Sequence, residues 1–226
     1  MKRTIIIMAK VPTAGTVKTR LQPALSSEKC AELARAFLRD TVYKAESVCK
    51  NIILAYSPAA EIDLLKKILP FENTFLEQKG ADLGEKMLNA FEFAFECETD
   101  SAVVMIGTDS PVFPAEFIKT AFESLETGAE IVLGKTEDGG FYLIGLKKVL
   151  PDIFDQIEWS TASVFAELSR NLEKLKIGEP KLVPTCFDVD TAPDLRRLRE
   201  ELLQNKYLRK IAPETYQWLI SNSELF

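Results

Sequence analysis

Short apolar runs rich in Val, Ile and Leu recur along the chain, and they predict strands. The runs cover residues 4–8, 51–56, 74–77, 102–106, 130–134, 141–146 and 182–187. Several are continuous rather than alternating, which is typical of strands that are covered on both faces.

Stretches with apolar residues every three to four positions lie between these runs and predict helices. The predicted helices cover 28–48, 83–95, 115–125, 162–175, 194–203 and 213–221. Ser27 is the expected N-cap of the first helix, and Asp82 with Glu85 forms a capping-box pattern at the second. The second helix should turn its apolar stripe inward, namely Leu83, Met87, Phe91 and Phe95.

The alternation of strands and helices predicts the fold class. We expect an α/β protein: a three-layer αβα, Rossmann-like sandwich around a mostly parallel, mixed central sheet. With 226 residues and neither a repeat nor a Gly/Ser-rich linker, the chain is expected to form a single domain over 1–226. Such sheets bind ligands beyond the carboxyl ends of their strands, so candidate chemistry is sought there.

The amino-acid composition excludes or disfavours several classes of function. The chain has 34 acidic and 28 basic residues, a formal charge of −6, which does not favour nucleic acid as a partner. It contains no histidine, which excludes His-dependent triads and His-ligated zinc sites. The apolar run near the amino terminus is too short for a secretory signal, and no run is long enough to span a membrane. We therefore expect a cytoplasmic protein whose chemistry uses carboxylates, bases and an oxygen-liganded cation, Mg²⁺ or Mn²⁺.

A basic loop follows the first predicted strand. Its sequence AKVPTAGTVKTRL, residues 9–21, contains Lys10, Gly15, Lys18 and Arg20. Backbone amides of such a loop can bind an anion while the bases neutralise its charge, so these residues are predicted to bind nucleotide phosphates. The alternative is an ordinary strand–helix loop with solvated bases.

Acidic residues follow two other predicted strands. Asp109 comes directly after one strand, and Asp188 and Asp190 follow another. A carboxylate at a strand end can hold a cation that bridges two phosphates, so we predict Asp109 and Asp190 as metal ligands. The alternatives are that Asp109 shapes a turn or caps a helix, and that one Asp of the second pair serves the helix at Thr191.

The segment EDGGFY, residues 137–142, carries a third candidate site. Its Asp-Gly pair predicts a hairpin turn, and its glycines also allow a sugar or acceptor to approach the backbone. We therefore predict Glu137 or Asp138 as the catalytic carboxylate. Gly139, Gly140 and Trp159 are expected on the acceptor or sugar side, although the simplest interpretation of Trp159 is a packed aromatic residue.

These motifs together resemble a known bacterial family. AKVPTAGTVKTRL, GADLGEKM (80–87), GTDSP (107–111), EDGGFYLIGL (137–146), WST (159–161) and DVDT (188–191) occur in the order seen in nucleotide-diphospho-sugar transferase-like proteins, often called arsenosugar-biosynthesis-type glycosyltransferases. The resemblance covers essentially the whole chain. It implies a glycosyltransferase-A-type fold and distant kinship with nucleotidyltransferases.

The resemblance also implies roles for individual residues. It gives Lys18 and Arg20 phosphate contacts, makes Asp109 and Asp190 metal ligands, and adds Lys86 to the nucleotide side. GTDSP has one acid where many glycosyltransferases of this fold have Asp-x-Asp, whereas DVDT is similar to the second metal acid of nucleotidyltransferases.

The predicted function is metal-dependent glycosyl transfer from a nucleotide-diphospho-sugar to a small-molecule acceptor. The alternatives are nucleotidyl transfer, in which a phosphorylated substrate attacks a nucleoside triphosphate and pyrophosphate leaves, and a non-catalytic nucleotide-binding protein. The sequence leaves open the base, the sugar, the acceptor, the stereochemistry and the oligomeric state, including a homodimer.

Overall fold

A seven-stranded mixed sheet forms the centre of the computed structural model, which describes residues 1–69, 74–98 and 101–225. The strands are β1 (Lys2–Lys10), β2 (Ile52–Ser57), β3 (Thr74–Glu77), β4 (Ser101–Ile106), β5 (Ile131–Thr136), β6 (Phe141–Leu146) and β7 (Lys181–Cys186). Their order in the sheet is β3-β2-β1-β4-β6-β5-β7, and β6 runs antiparallel to both of its neighbours while the other pairs are parallel. Each predicted strand is present, and the mixed, mostly parallel sheet is confirmed.

Helices cover both faces of this sheet, which confirms the three-layer architecture. They are α1 (Ser27–Glu46), α2 (Ile62–Ile68), α3 (Leu83–Cys97), α4 (Ala115–Glu126), α5 (Val164–Lys174), α6 (Ala192–Gln204), α7 (Lys206–Ile211) and α8 (Pro213–Ser221). Apolar residues of α1, α2 and α4 pack on one face of the sheet, and those of α3 and α5 pack on the other. A third apolar cluster joins α6 and α8 to the outer side of α1.

The continuous apolar run of β1 is explained by this double coverage. Ile5 and Ile7 belong to the cluster under α1, and Ile6 belongs to the cluster under α3. All three side chains are fully buried. Burying each of them contributes roughly 1.5–3 kcal/mol relative to exposure, so both faces of the strand stabilise the sheet.

Strand direction brings the carboxyl ends of six strands, and the amino end of β6, to one edge of the sheet. β6 returns antiparallel beside β4, with Ile106 opposite Leu143, so the amino end of β6 lies at the carboxyl end of β4. β5 and β7 pair in parallel, so β7 ends at this same edge. The segments that follow β1, β4, β5 and β7 therefore converge here.

Two local predictions about helix starts differ from the structure. The N-cap of α1 is Ser26, whose hydroxyl accepts a hydrogen bond from the Lys29 amide, so the prediction of Ser27 was wrong by one residue. Asp82 caps α3 as predicted, accepting from the Glu85 amide at 2.9 Å. The prediction that Leu83 faces inward was wrong. Leu83 is the first residue of α3 and is 42% exposed, whereas Met87 and Phe91 are buried as predicted.

Membrane crossing is not indicated by the helices. None of them, in the described part of the chain, combines the length and the apolar character that a bilayer span requires.

Candidate functional site

A cleft opens at the edge of the sheet where the strand ends converge. Its volume is about 670 Å³, within the range of pockets that bind cofactors and nucleotides. Its walls come from the loop after β1, the end of β4, the β5–β6 turn, the segment before α5 and the segment after β7. Of the predicted site residues, eight line it: Lys10, Lys18, Arg20, Asp109, Asp138, Gly140, Trp159 and Asp190.

Lys18 lies at the centre of the polar side of the cleft. Its backbone is left-handed, with φ 48°, immediately before a 3₁₀ turn at Thr19–Leu21, and its side chain is only 6% exposed. The ammonium donates to the Val189 carbonyl at 2.8 Å, lies 3.2 Å from the Asp190 carboxylate and contacts the Asp109 carboxylate directly. Burial would lower the pKa of Lys18, but the charges of Asp109 and Asp190 outweigh burial and raise it, so the side chain is a fixed cation.

The two predicted metal ligands are brought together by this lysine. Asp109 and Asp190 come from different strand ends, and the Val189 amide donates to the Asp109 carbonyl at 2.9 Å, which joins the two segments. Their carboxylates remain accessible, with side chains 53% and 37% exposed. Neither carboxylate serves as a helix cap, because the α6 capping box is made by Thr191 and Asp194.

The donor set suits a hard cation that also binds phosphate. Within residues 1–69, 74–98 and 101–225, no group of three or more His, Cys, Asp or Glu side chains is arranged to hold a metal ion. Mg²⁺ commonly takes only one or two carboxylates and completes its shell with water and substrate phosphates. Asp109 and Asp190 meet that need, and both already point at one cation, the Lys18 ammonium.

Asp188 lines the cleft beside these residues but was not selected from the sequence as a site residue. β7 ends at Cys186, so Asp188 lies beyond the strand, where its carboxylate accepts a hydrogen bond from the Ser110 hydroxyl. Burial, reinforced by the charges of Asp109 and Asp138, raises the pKa of Asp188 to about 7. The sequence signal that could have identified Asp188 as a cleft residue was its position two residues before Asp190.

The two predicted catalytic carboxylates of the β5–β6 turn have different environments. Arg197 holds Glu137 bidentately at 2.6 and 2.9 Å, and that hydrogen-bonded pair lowers the pKa of Glu137. Glu137 does not line the cleft. Asp138 does, and one of its oxygens is held by the Thr136 hydroxyl at 2.5 Å and the Gly140 amide at 3.1 Å. The turn itself is the hairpin that the sequence predicted.

The turn is locked against the segment before α5. Gly139 has φ +95°, and a Cβ there would lie 2.1 Å from the Ala162 carbonyl oxygen. The Gly139 carbonyl accepts from the Phe165 amide at 2.9 Å. Gly139 therefore packs against protein and does not line the cleft, whereas Gly140 does. Trp159 also lines it, and its ring packs edge-on against Phe141 and tilted against Phe154.

The remaining predicted nucleotide-side residues fall in two groups. Lys10 and Arg20 line the cleft, and Arg20 lies 3.6 Å from the Asp190 carboxylate. Gly15 and Lys86 do not line it. Gly15 provides the left-handed turn of the basic loop, with φ +83°.

Gln78 is a cleft residue that the sequence reasoning missed. Its side-chain amide donates to the carbonyls of Ala9 at 3.2 Å and Ala55 at 2.8 Å, joining the carboxyl ends of β1 and β2. The signal was its position directly after β3, at the same edge of the sheet as the other candidates.

Comparison with known protein families gives one match. Residues 41–161 match the family model described as "Uncharacterized protein conserved in bacteria (DUF2064)". None of the curated proteins matches the chain.

Comparison with solved structures supports the fold over the whole chain. A Desulfovibrio desulfuricans G20 protein, provisionally described as a nucleotide-diphospho-sugar transferase, is 32% identical with a TM-score of 0.90, and the match covers 100% of this chain and 97% of that one. Two more distant structures share the fold. CMP:2-keto-3-deoxy-manno-octonic acid synthetase in complex with CTP is 12% identical, with a TM-score of 0.58 and coverage of 90% and 99%. The Rv0371c protein of Mycobacterium tuberculosis H37Rv in complex with manganese is 17% identical, with a TM-score of 0.55 and coverage of 88% and 98%.

Proposed function

This chain belongs to the conserved bacterial family DUF2064, and we propose that it transfers a glycosyl group from a nucleotide-diphospho-sugar to a small acceptor with the help of Mg²⁺ or Mn²⁺. The observation that carries the proposal is the arrangement of Lys18 between Asp109 and Asp190 in the cleft. A cation and two accessible carboxylates at one point are suited to a diphosphate and its metal ion. The provisional description of the Desulfovibrio relative supports the same class of donor.

The basic loop is proposed to bind the diphosphate. Lys10 is the last residue of β1, and Lys18 and Arg20 lie in the segment that follows it, so all three line the cleft from one stretch of the chain. They would neutralise the charge that develops on the leaving diphosphate, which is the main requirement of such a transfer. Lys18 is the best placed of the three because its raised pKa and buried stem fix it as a cation.

Asp109 and Asp190 are proposed to hold the metal ion. When bound, the ion supplies charge stabilisation to the diphosphate as a Lewis acid. The manganese complex of the distant Mycobacterium structure is compatible with this choice of ion, although at 17% identity it supports the fold alone.

Asp138 is proposed as the base for the acceptor, in preference to Glu137. The acceptor oxygen would bond to the anomeric carbon as the bond from that carbon to the phosphate oxygen breaks. The acceptor proton would pass to the Asp138 carboxylate, and the nucleoside diphosphate would leave. Asp138 lines the cleft and is oriented by Thr136 and Gly140, whereas the Glu137 carboxylate is engaged by Arg197 outside it.

Nucleotidyl transfer is the second candidate, because Asp190 beside Asp109 provides a second acid near the phosphates. The two reactions leave different products. Glycosyl transfer or slow donor hydrolysis releases a nucleoside diphosphate, whereas nucleotidyl transfer consumes a triphosphate and releases pyrophosphate.

Phosphorus NMR distinguishes the two candidates. The protein with Mg²⁺ is incubated with nucleotide sugars of each base, and separately with nucleoside triphosphates plus sugar phosphates, and the products are compared. We expect nucleoside diphosphate from one nucleotide sugar, its loss in Asp109→Asn and its retention in Asp63→Asn, an exposed acid on α2. Pyrophosphate release would favour the second candidate, and absence of both products would overturn the proposal.

A further inference from the structure

The charges around the cleft are distributed unevenly. Among the described residues that line it, the basic ones are Lys10, Lys18 and Arg20, and all three come from a single stretch of the chain. The wall formed by α3, β6 and the start of α5 contributes no base. The half of the cleft that carries these bases also carries Asp109 and Asp190, so it is suited to the donor diphosphate together with a metal ion. The half without bases is suited to a different part of the substrates.

This second wall is mainly apolar, and its polar lining residues Tyr142, Ser160 and Thr161 carry only hydroxyl groups. It is formed by Leu83 and Met87 of α3, Phe141 of β6, Trp159 and Val164. Leu83 is 42% exposed, and Phe141 and Trp159 are partly exposed, so these three residues present apolar surface, whereas Met87 and Val164 are buried behind it. An exposed apolar surface inside a cleft is more informative than single apolar residues on a convex surface, because it marks the part of the ligand that is apolar.

Among the residues that line the cleft, the charged residue nearest to this wall along the chain is acidic. Asp138 lies in the turn that precedes Phe141, and its own oxygen is oriented by Thr136 and Gly140. A phosphate brought to this side would lose water, meet no cation and face a carboxylate. Desolvating an unpaired anion in this way is strongly unfavourable, and phosphate sites therefore normally include Arg or Lys.

From this distribution we propose that the acceptor is an uncharged hydroxyl compound with an apolar face and carries no phosphate. This inference rests on the proposed function and names the class of its acceptor. The apolar face of the acceptor packs on Trp159, Phe141 and Leu83, and its hydroxyl is directed to Asp138. The same distribution disfavours nucleotidyl transfer to a phosphorylated sugar, because that substrate needs cations on this wall.

The first arm of the test establishes the donor side separately. UDP, GDP, CDP and ADP are each titrated with Mn²⁺ by calorimetry. If none of them binds, the proposed function fails, and the acceptor inference fails with it. The nucleotide that binds is kept at saturation in the second arm.

The second arm measures acceptor binding with chemically matched probes. The chain has two tryptophans, so Trp218→Phe leaves Trp159 as the only indole, and its fluorescence reports on the apolar wall. The probes are phenyl β-D-glucoside, which is uncharged with an apolar face, and glucose 6-phosphate. We expect saturable binding of the glucoside at least tenfold tighter than that of the sugar phosphate. If Trp218→Phe is unstable, saturation-transfer NMR on the phenyl protons of the glucoside with the unmodified chain gives the same comparison.

A charge placed on the wall provides a further test, and the same charge placed outside the cleft provides its matched control. Leu83→Lys should weaken the glucoside at least fivefold and strengthen the sugar phosphate. Leu175→Lys, at a leucine of similar exposure at the end of α5 and outside the cleft, should change neither. If the nucleotide binds but the sugar phosphate binds as tightly as the glucoside, or the glucoside does not saturate, the acceptor inference is overturned while the donor site stands.

Discussion

Lys18 shows how one side chain can connect two acidic segments that are distant along the chain, at the place where we propose that a diphosphate binds. Its ammonium joins residues that lie about ninety and one hundred and seventy positions away along the chain, through Asp109 and through the Val189 carbonyl and Asp190. Because it lies between the two carboxylates, it holds the position that suits a second cation. If Asp109 and Asp190 hold a metal ion as proposed, the ion and Lys18 would compete for these oxygens until a phosphate gave Lys18 another partner.

Replacing Lys18 should consequently affect metal and nucleotide in opposite directions. In Lys18→Met, we expect Mn²⁺ to bind at least fivefold more tightly in the absence of nucleotide, since the competing charge is gone. Nucleoside diphosphate should bind at least tenfold more weakly, since a buried phosphate ligand is lost. Electron paramagnetic resonance of free Mn²⁺ measures the first change and calorimetry measures the second.

Arg20→Met is the matched control for this prediction. Arg20 carries the same charge and also approaches Asp190, but its side chain is exposed and lies 3.6 Å away. It should change the Mn²⁺ affinity by less than twofold. Equal effects of the two substitutions would indicate general electrostatics rather than a lysine that holds the metal position.

A second buried lysine lies behind the same strand end. Lys44 donates to the Pro111 carbonyl at 2.9 Å and lies 3.7 Å from the centre of the Phe113 ring. Burial lowers the pKa of Lys44 to about 7. One turn earlier on α1, Asp40 accepts the amides of Glu214 and Thr215 at the start of α8.

Lys44 should make stability depend on pH above neutrality. Its folded pKa lies below its unfolded value of 10.5, so between about pH 7 and 10 the unfolded chain binds more protons than the folded one. The free energy of unfolding should therefore rise with pH in this window, by on the order of 1–2 kcal/mol between pH 7 and 9. Urea unfolding of the unsubstituted chain and of Lys44→Met at several pH values measures this rise in the free energy of unfolding. The rise should be absent from Lys44→Met. Parallel curves for the two proteins would show that Lys44 titrates normally.

At the scale of elements, the site depends on two loops that lock together. The β5–β6 turn carries Asp138, and the segment before α5 carries Trp159. They meet where Gly139 packs on the Ala162 carbonyl and accepts from the Phe165 amide. The relative position of the proposed base and the apolar wall is thus fixed by one close backbone contact.

Comparing Gly139→Ala with Gly178→Ala should distinguish the cost of losing this close contact from the cost of backbone strain alone. Gly178 also has a positive φ, but a Cβ there meets nothing within 4 Å, so Gly178→Ala should cost only roughly 1–2 kcal/mol. Gly139→Ala carries the same strain plus a steric clash, and should cost at least about 2 kcal/mol more. Urea unfolding measures both. Equal losses would mean that the two loops do not depend on the close approach.

The elements themselves were largely predictable, for physical reasons that also explain the exceptions. β1 and β4 are continuous apolar runs because helices cover both faces, and α3 has a capping aspartate at its start. The helices α2 and α7 were missed because seven and six residues are too few for a periodic pattern. At α1 either of two adjacent serines could act as the cap, and only the extended backbone of Ser26 decides between them.

At the scale of the whole molecule, what could be predicted about the cleft follows from strand direction. Parallel strands end at one edge, so Lys18, Asp109 and Asp190 could be expected to meet there, and the structure brings them together. Pairings that depend on side-chain packing could not be read from local motifs. Arg197 of α6 engages Glu137 across 60 positions of sequence and so leaves Asp138 as the carboxylate at the cleft.

The most direct test is a thermal-shift series of nucleotide-diphospho-sugars with Mn²⁺ or with a chelator, on the normal chain and on Asp109→Asn. A donor at about 100 times its Kd should stabilise the normal chain by roughly 2.7 kcal/mol, a shift of several degrees. We predict that one nucleotide sugar gives this shift with Mn²⁺, and that chelator or Asp109→Asn abolishes it. A shift that survives both treatments, or no shift with any nucleotide sugar, would contradict a metal-dependent diphosphate site at Asp109 and Lys18.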